Sequence, residues 1–169
     1  ILVPTQLLSA KDQEDLVVKH KQHITLNDGR RLEYLEQGAS NGVPVLLLHN
    51  MPYGMELPKA AIQTAARMNL RFIAPYRPGY GGTDMPTGLR TSALLDQTAK
   101  DHKELLDRLK ISRVTLVGQT IGMTYALRFA SLFPEYVESM LGVSYVPMWR
   151  TEWIRTGENV MNHIMITGG

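Results

Sequence analysis

Cysteine is absent from the 169 residues. Disulfides, thiolate metal sites and a cysteine nucleophile are thereby excluded together. Long apolar runs are absent as well. The longest, such as Val43 to Leu48, fall far short of the roughly 20 residues of a bilayer-spanning helix. Neither sign of charge dominates: 18 Lys and Arg stand against 16 Asp and Glu, for a net charge of +2. The basic residues are spread along the chain, so no stripe argues for nucleic acid. No His-x-x-x-His pair and no one-faced carboxylate cluster points to a metal. The Gly-rich segment lacks the Gly-Lys-Thr ending of a P-loop, and no Gly-x-Gly-x-x-Gly opens a helix after a strand. Neither a metal nor a cofactor is expected. Internal repeats and low-complexity segments are also missing. At the start, Ile1-Leu2-Val3 runs at once into Pro4 and then charges, which is not a signal-peptide pattern. The first residue is not Met, so the expectation is that the true N-terminus is missing. A reducing compartment such as the cytoplasm is expected.

What is present is an ordinary globular composition, 44% hydrophobic and 20% charged, in a length that supports one domain with a real core. Residues 1–18 are weakly patterned, with Ser9 placed to cap a short helix over Lys11 to Glu14. Alternating runs at Lys19 to Leu26 and Arg31 to Leu35 flank Asn27-Asp28-Gly29-Arg30, which predicts an antiparallel hairpin at a sheet edge. Val43 to Leu48 is continuously apolar, as suits a strand covered on both faces. After a loop at Asn50 to Gly54, Lys59 to Asn69 reads as a helix, Leu70 to Pro75 as a strand, and Arg77 to Asp84 as a Gly-rich loop. A helix capped by Thr91 or Ser92 runs to Lys110, with the stripe Leu95, Thr98, Ala99, His102, Leu105, Leu106 and Leu109. A further helix covers Ile121 to Leu132. Its Gly122, Ala126 and Ala130, four apart, predict close approach to a sheet, and Pro134 stops it. A last strand centres on Met140 to Ser144. Alternating strands and helices imply a mainly parallel sheet with helices on both faces and an antiparallel hairpin at its N-terminal end.

The densest signal is Val114 to Met123. An apolar strand runs into Gly118-Gln119-Thr120-Ile121-Gly122, and a helical pattern starts at once. This is the layout of a nucleophile elbow, a strained turn that lifts one side chain above a sheet. Together with His49-Asn50 at the end of Val43 to Leu48, and with Arg77-Pro78-Gly79-Tyr80-Gly81-Gly82-Thr83, the elbow resembles the α/β-hydrolase fold family from about Lys19 to Val146. The resemblance implies a nucleophile at the elbow that attacks a carbonyl or other electrophilic carbon. An acid and a His would follow later in the chain. It assigns Thr120 to the nucleophile position and the backbone N–H groups of Met51 and Ile121 to an oxyanion hole. His49, Asn50, Gly118, Gln119 and Gly122 become supporting residues. Small-molecule substrates follow from the same resemblance.

Three departures qualify it. Thr120 stands where Ser is usual, and a β-branched residue fits positive φ poorly. Asn50 stands where Gly is usual, although Asn is the residue that best tolerates the left-handed region. The strands that carry the family's acid and His would lie beyond Val146, and this chain has none. Residues 1–146 are therefore expected to be the N-terminal part of a hydrolase core and 147–169 the start of a lid, with Trp149, Trp153 and several Met residues. A non-catalytic binding protein of the same fold is the alternative. The open edge of the last strand suggests either a homodimer or association with an absent C-terminal segment. Among the remaining residues, His20 and His23 read as hairpin residues and His102 as a satisfied core histidine. His163, oriented by Glu152 or Glu158, would reach the site only by breaking the family's order. Asp84 is expected to serve the loop's backbone donors and Arg77 to pair with it.

Overall fold

The computed structural model describes residues 20–50, 55–89 and 91–144. The expected lid (147–169), the N-terminal stretch and Met51 lie outside the described residues. Six strands form one sheet: β1 (His20–Thr25), β2 (Arg31–Gly38), β3 (Val43–Leu48), β4 (Leu70–Pro75), β5 (Val114–Gln119) and β6 (Val137–Val143), in the order β1-β2-β4-β3-β5-β6. The β1–β2 and β2–β4 pairings are antiparallel, and β3–β4, β3–β5 and β5–β6 are parallel. Among the described residues three α-helices accompany them: α1 (Lys59–Arg67), α2 (Thr91–Arg108) and α3 (Gly122–Leu132). None is long and apolar enough to cross a membrane among the described residues.

The hairpin forms where Asp-Gly predicts it. Gly29 has φ 87°, and the turn closes through Leu26 N–H to the Arg30 carbonyl at 2.7 Å. Strand β2 runs three residues past the predicted Leu35, because Glu36, Gln37 and Gly38 pair with β4. Two helices end earlier than their apolar stripes suggest. After α1, Asn69 turns left-handed at φ 55°. After α2, Lys110 does the same at φ 57°, and Ile111 N–H reaches back to the Leu106 carbonyl at 2.9 Å, the pattern of a Schellman stop.

The period-two pattern of the strands divides the core. Leu32, Tyr34, Leu46, Leu48, Ile73 and Leu116 face α2 and α3, where Leu105, Leu106, Ala126 and Phe129 meet them. Leu35, Leu47, Ala74 and Tyr76 form a second cluster with Met55. Alternate residues of β3 thus serve both clusters, which is why its sequence is apolar without interruption. The Gly-rich loop folds back on β2. Glu33 N–H donates to Thr83 Oγ1 at 3.0 Å and Arg31 N–H to Asp84 Oδ2 at 2.7 Å. Asp84 therefore holds a backbone donor, and the expected Arg77–Asp84 pair does not form.

Candidate active site

Strand β5 delivers the chain to a turn at its C-terminal end, beside the end of β3. Thr120 sits there at φ 47°, in the left-handed region that a β-branched side chain enters only under strain. Ile121 already has helical dihedrals, φ −62° and ψ −25°, and α3 begins with the next residue. The turn is pinned on both sides. Thr120 N–H donates to the Val143 carbonyl of β6 at 2.9 Å, and its own carbonyl accepts from Met123 N–H at 3.1 Å.

Both flanking glycines have a steric reason. A Cβ on Gly118 would lie 2.5 Å from Met123 Cα, and one on Gly122 would lie 2.0 Å from the Leu48 carbonyl oxygen. Helix α3 starts so close to the ends of β3 and β5 that no side chain fits at either position. The small stripe continues inward, with Ala126 and Ala130 fully buried.

Thr120 Oγ1 is buried and has no hydrogen-bond partner among the described residues. Ile121 N–H meets no acceptor among the described residues, as expected for a first-turn donor with no carbonyl four residues behind it. Its side chain is 44% exposed, an apolar group left at the rim. Gln119 is exposed at the end of β5.

His49 follows β3 and is buried. Its Nδ1 bonds the Asn50 carbonyl at 2.6 Å, and its Nε2 accepts from Arg77 Nε at 3.3 Å. Since Arg77 can only donate, the proton of neutral His49 belongs on Nδ1. Burial, and secondarily the Arg77 charge, push the imidazole down to about 4. Asn50 is not among the non-glycine residues of positive φ, which are Asn69, Lys110, Thr120 and Ser144. Its tolerance of the left-handed region therefore goes unused.

The expectation of a satisfied His102 is corrected. The ring is fully buried on α2, and among the described residues neither nitrogen has a partner. Burial, then the charges of His49 and Arg77, lower it to about 3. These three buried residues form a cluster, with the half-buried rings of Tyr80 and Tyr125 against Arg77. Residue spacing did not reveal it, because its members come from β3, the loop after β4, α2 and α3. The one available signal was the polar His102 on an apolar stripe. His23 lies on the edge strand β1, as expected. Among the described residues no group of three metal-ligating side chains occurs.

Residues 43–162 match the family described as alpha/beta hydrolase fold. The chain belongs to that family. It is 32% identical to a haloalkane dehalogenase of Psychrobacter cryohalolentis over 105 residues, 62% of this chain and 34% of that protein. It is 33% identical to an epoxide hydrolase of Caballeronia sordidicola over 124 residues, 73% of this chain and 37% of that protein. The chain thus spans little more than a third of the length of these relatives. Among solved structures, an epoxide hydrolase from Vigna radiata superposes with a TM-score of 0.66 at 25% identity, covering 79% of this chain and 40% of that one.

Proposed function

We propose that the complete protein is a hydrolase that acts on a small, rather apolar substrate of the ester, amide or epoxide type. Thr120 takes the nucleophile position, and the N–H groups of Ile121 and Met51 form the oxyanion hole. The acid and the general base come from sequence outside this chain, 147–169 begins the lid, and the cytoplasm is the place of action. One observation carries the reading. Thr120 accepts left-handed strain at the head of α3, with a buried hydroxyl that has no hydrogen-bond partner among the described residues. Strain and an unpaired polar atom are kept where a site uses them. The names of the relatives, a haloalkane dehalogenase and an epoxide hydrolase, support attack on an electrophilic carbon.

A second reading draws on the same residue. The Thr120 methyl at φ 47° makes a poor attacking geometry, which favours a member of the fold that only binds a small molecule or a protein partner. Hydrolysis of a p-nitrophenyl ester by the complete protein separates the two. The hydrolase reading expects slow turnover, faster turnover by Thr120→Ser and none by Thr120→Ala. If wild type and Thr120→Ser are equally inert, the hydrolase reading fails and the binding reading stands.

A further inference from the structure

We propose that Arg77 is a positioning residue: its buried guanidinium ties the end of β3 to the Gly-rich loop and to α3, and so fixes the rim of the site. The proposal rests on the oxyanion-hole assignment above. Arg77 is only 4% exposed. Among the described residues it takes part in no ion pair. Arg30, which is half-buried, is instead held by both carboxylate oxygens of Asp101, at 2.8 and 2.6 Å. A charge taken out of water without a carboxylate is expensive, and an apolar side chain would fill the same volume at no such cost. What the guanidinium obtains is geometry. Its Cζ lies 4.8 Å from the centre of the Tyr80 ring and 5.0 Å from that of Tyr125, contacts that suit a flat, weakly hydrated cation.

Its N–H groups settle the rest. Nε donates to His49 Nε2 at 3.3 Å and Nη2 to the Asn50 carbonyl at 3.4 Å. Because Nε2 must accept, His49 keeps its proton on Nδ1 and donates it to the same Asn50 carbonyl at 2.6 Å. That carbonyl is held twice, directly and through the ring. The end of β3 anchored in this way lies against the start of α3, where the Leu48 and His49 carbonyl oxygens leave no room for a side chain at Gly122. Tyr125 belongs to α3, whose first turn follows Thr120. One side chain thereby links the two halves of the rim.

The test is the ring ¹⁵N spectrum of His49 in wild type and in Arg77→Lys and Arg77→Met, with Arg30→Met as a control for loss of a half-buried arginine elsewhere. Wild type is expected to show one neutral form with the proton on Nδ1. Both Arg77 variants are expected to show mixed tautomers and shifted Asn50 and Thr120 amide signals, while Arg30→Met leaves these in place. Arg77→Lys keeps a cation at the position and serves if Arg77→Met does not fold. In the complete protein, kcat for the ester is expected to fall about 10- to 100-fold, with KM within about twofold. A single Nδ1–H form and unmoved amides in a folded Arg77 variant would overturn the proposal. If the complete protein turns over no ester, the hydrolase reading falls, and the His49 spectrum still decides the role of Arg77.

Discussion

Thr120 concentrates the chemistry of the molecule in one hydroxyl, and a hydroxyl ranks the substrates proposed for it. Attack on an acyl carbon gives an ester on Thr120 that water can cleave again. Attack on an epoxide carbon breaks the ring C–O bond, and the new alkoxide takes up the proton. The product on Thr120 is an ether, which water does not cleave. The complete protein is therefore expected to turn over esters and to be trapped by epoxides, which intact mass would show as one added epoxide, absent in Thr120→Ala. The glycines beside Thr120 are equally exacting. Gly122→Ala, whose Cβ would sit 2.0 Å from a backbone oxygen, is expected to cost about 1–3 kcal/mol, read by denaturant unfolding. This pattern was legible in the sequence because two close approaches demand two glycines at fixed spacing. The buried histidines were not, since their surroundings come from distant segments. Both stay neutral in the folded chain, His49 down to about 4 and His102 to about 3, whereas a free imidazole titrates near 6.5. Between those values the unfolded chain binds more protons, so acid favours unfolding. Their contribution is complete above about pH 6.5 and declines as the pH falls toward 4 and then 3. His102→Leu removes two unpaired buried nitrogens. It is expected to raise stability by about 1 kcal/mol or more and to flatten the loss between pH 7 and pH 5, measured by urea unfolding at both.

Helix α3 shows how an element is specified by what it leaves out. Gly122, Ala126 and Ala130 let its axis approach the sheet, and Phe129 fills the remaining space against Phe133 and Tyr136, at ring separations of 5.5 and 6.3 Å. Phe129→Ala is expected to cost about 3–5 kcal/mol. Ala126→Leu would overpack the same layer, and thermal melts report both. The four-residue spacing of small side chains made this packing legible before any coordinates. Helix ends were less so. Asn69 is a plausible left-handed stop by residue type, but Lys110 adopts that conformation through the carbonyl of Leu106 and not through any preference of lysine. The end of β2 was hidden for another reason. Glu36 and Gln37 look like loop residues, yet Glu36 meets Arg71 of β4 at 2.7 Å and Gln37 Nε2 bonds the Met55 carbonyl, ahead of α1, at 2.9 Å, so both side chains find partners while the backbone pairs in the sheet.

At the scale of the molecule, the sheet has an uneven pair of edges. One is the charged hairpin strand β1. The other, among the described residues, is β6, which carries Leu141, 57% exposed, and Val143, 39% exposed, and has no further strand beside it there, an edge of the kind that recruits another strand. The 169-residue chain on its own is expected to self-associate through this edge. Leu141→Lys combined with Val143→Lys should weaken that association, as light scattering would show. The same edge carries a second duty, since the last carbonyl of β6 holds the Thr120 N–H. Edge strands are the first parts of a sheet to open. In hydrogen exchange the Thr120 amide should therefore keep time with the outer strand β6 and not with the interior strand β5, so that the strained turn is as long-lived as the least protected strand of the sheet.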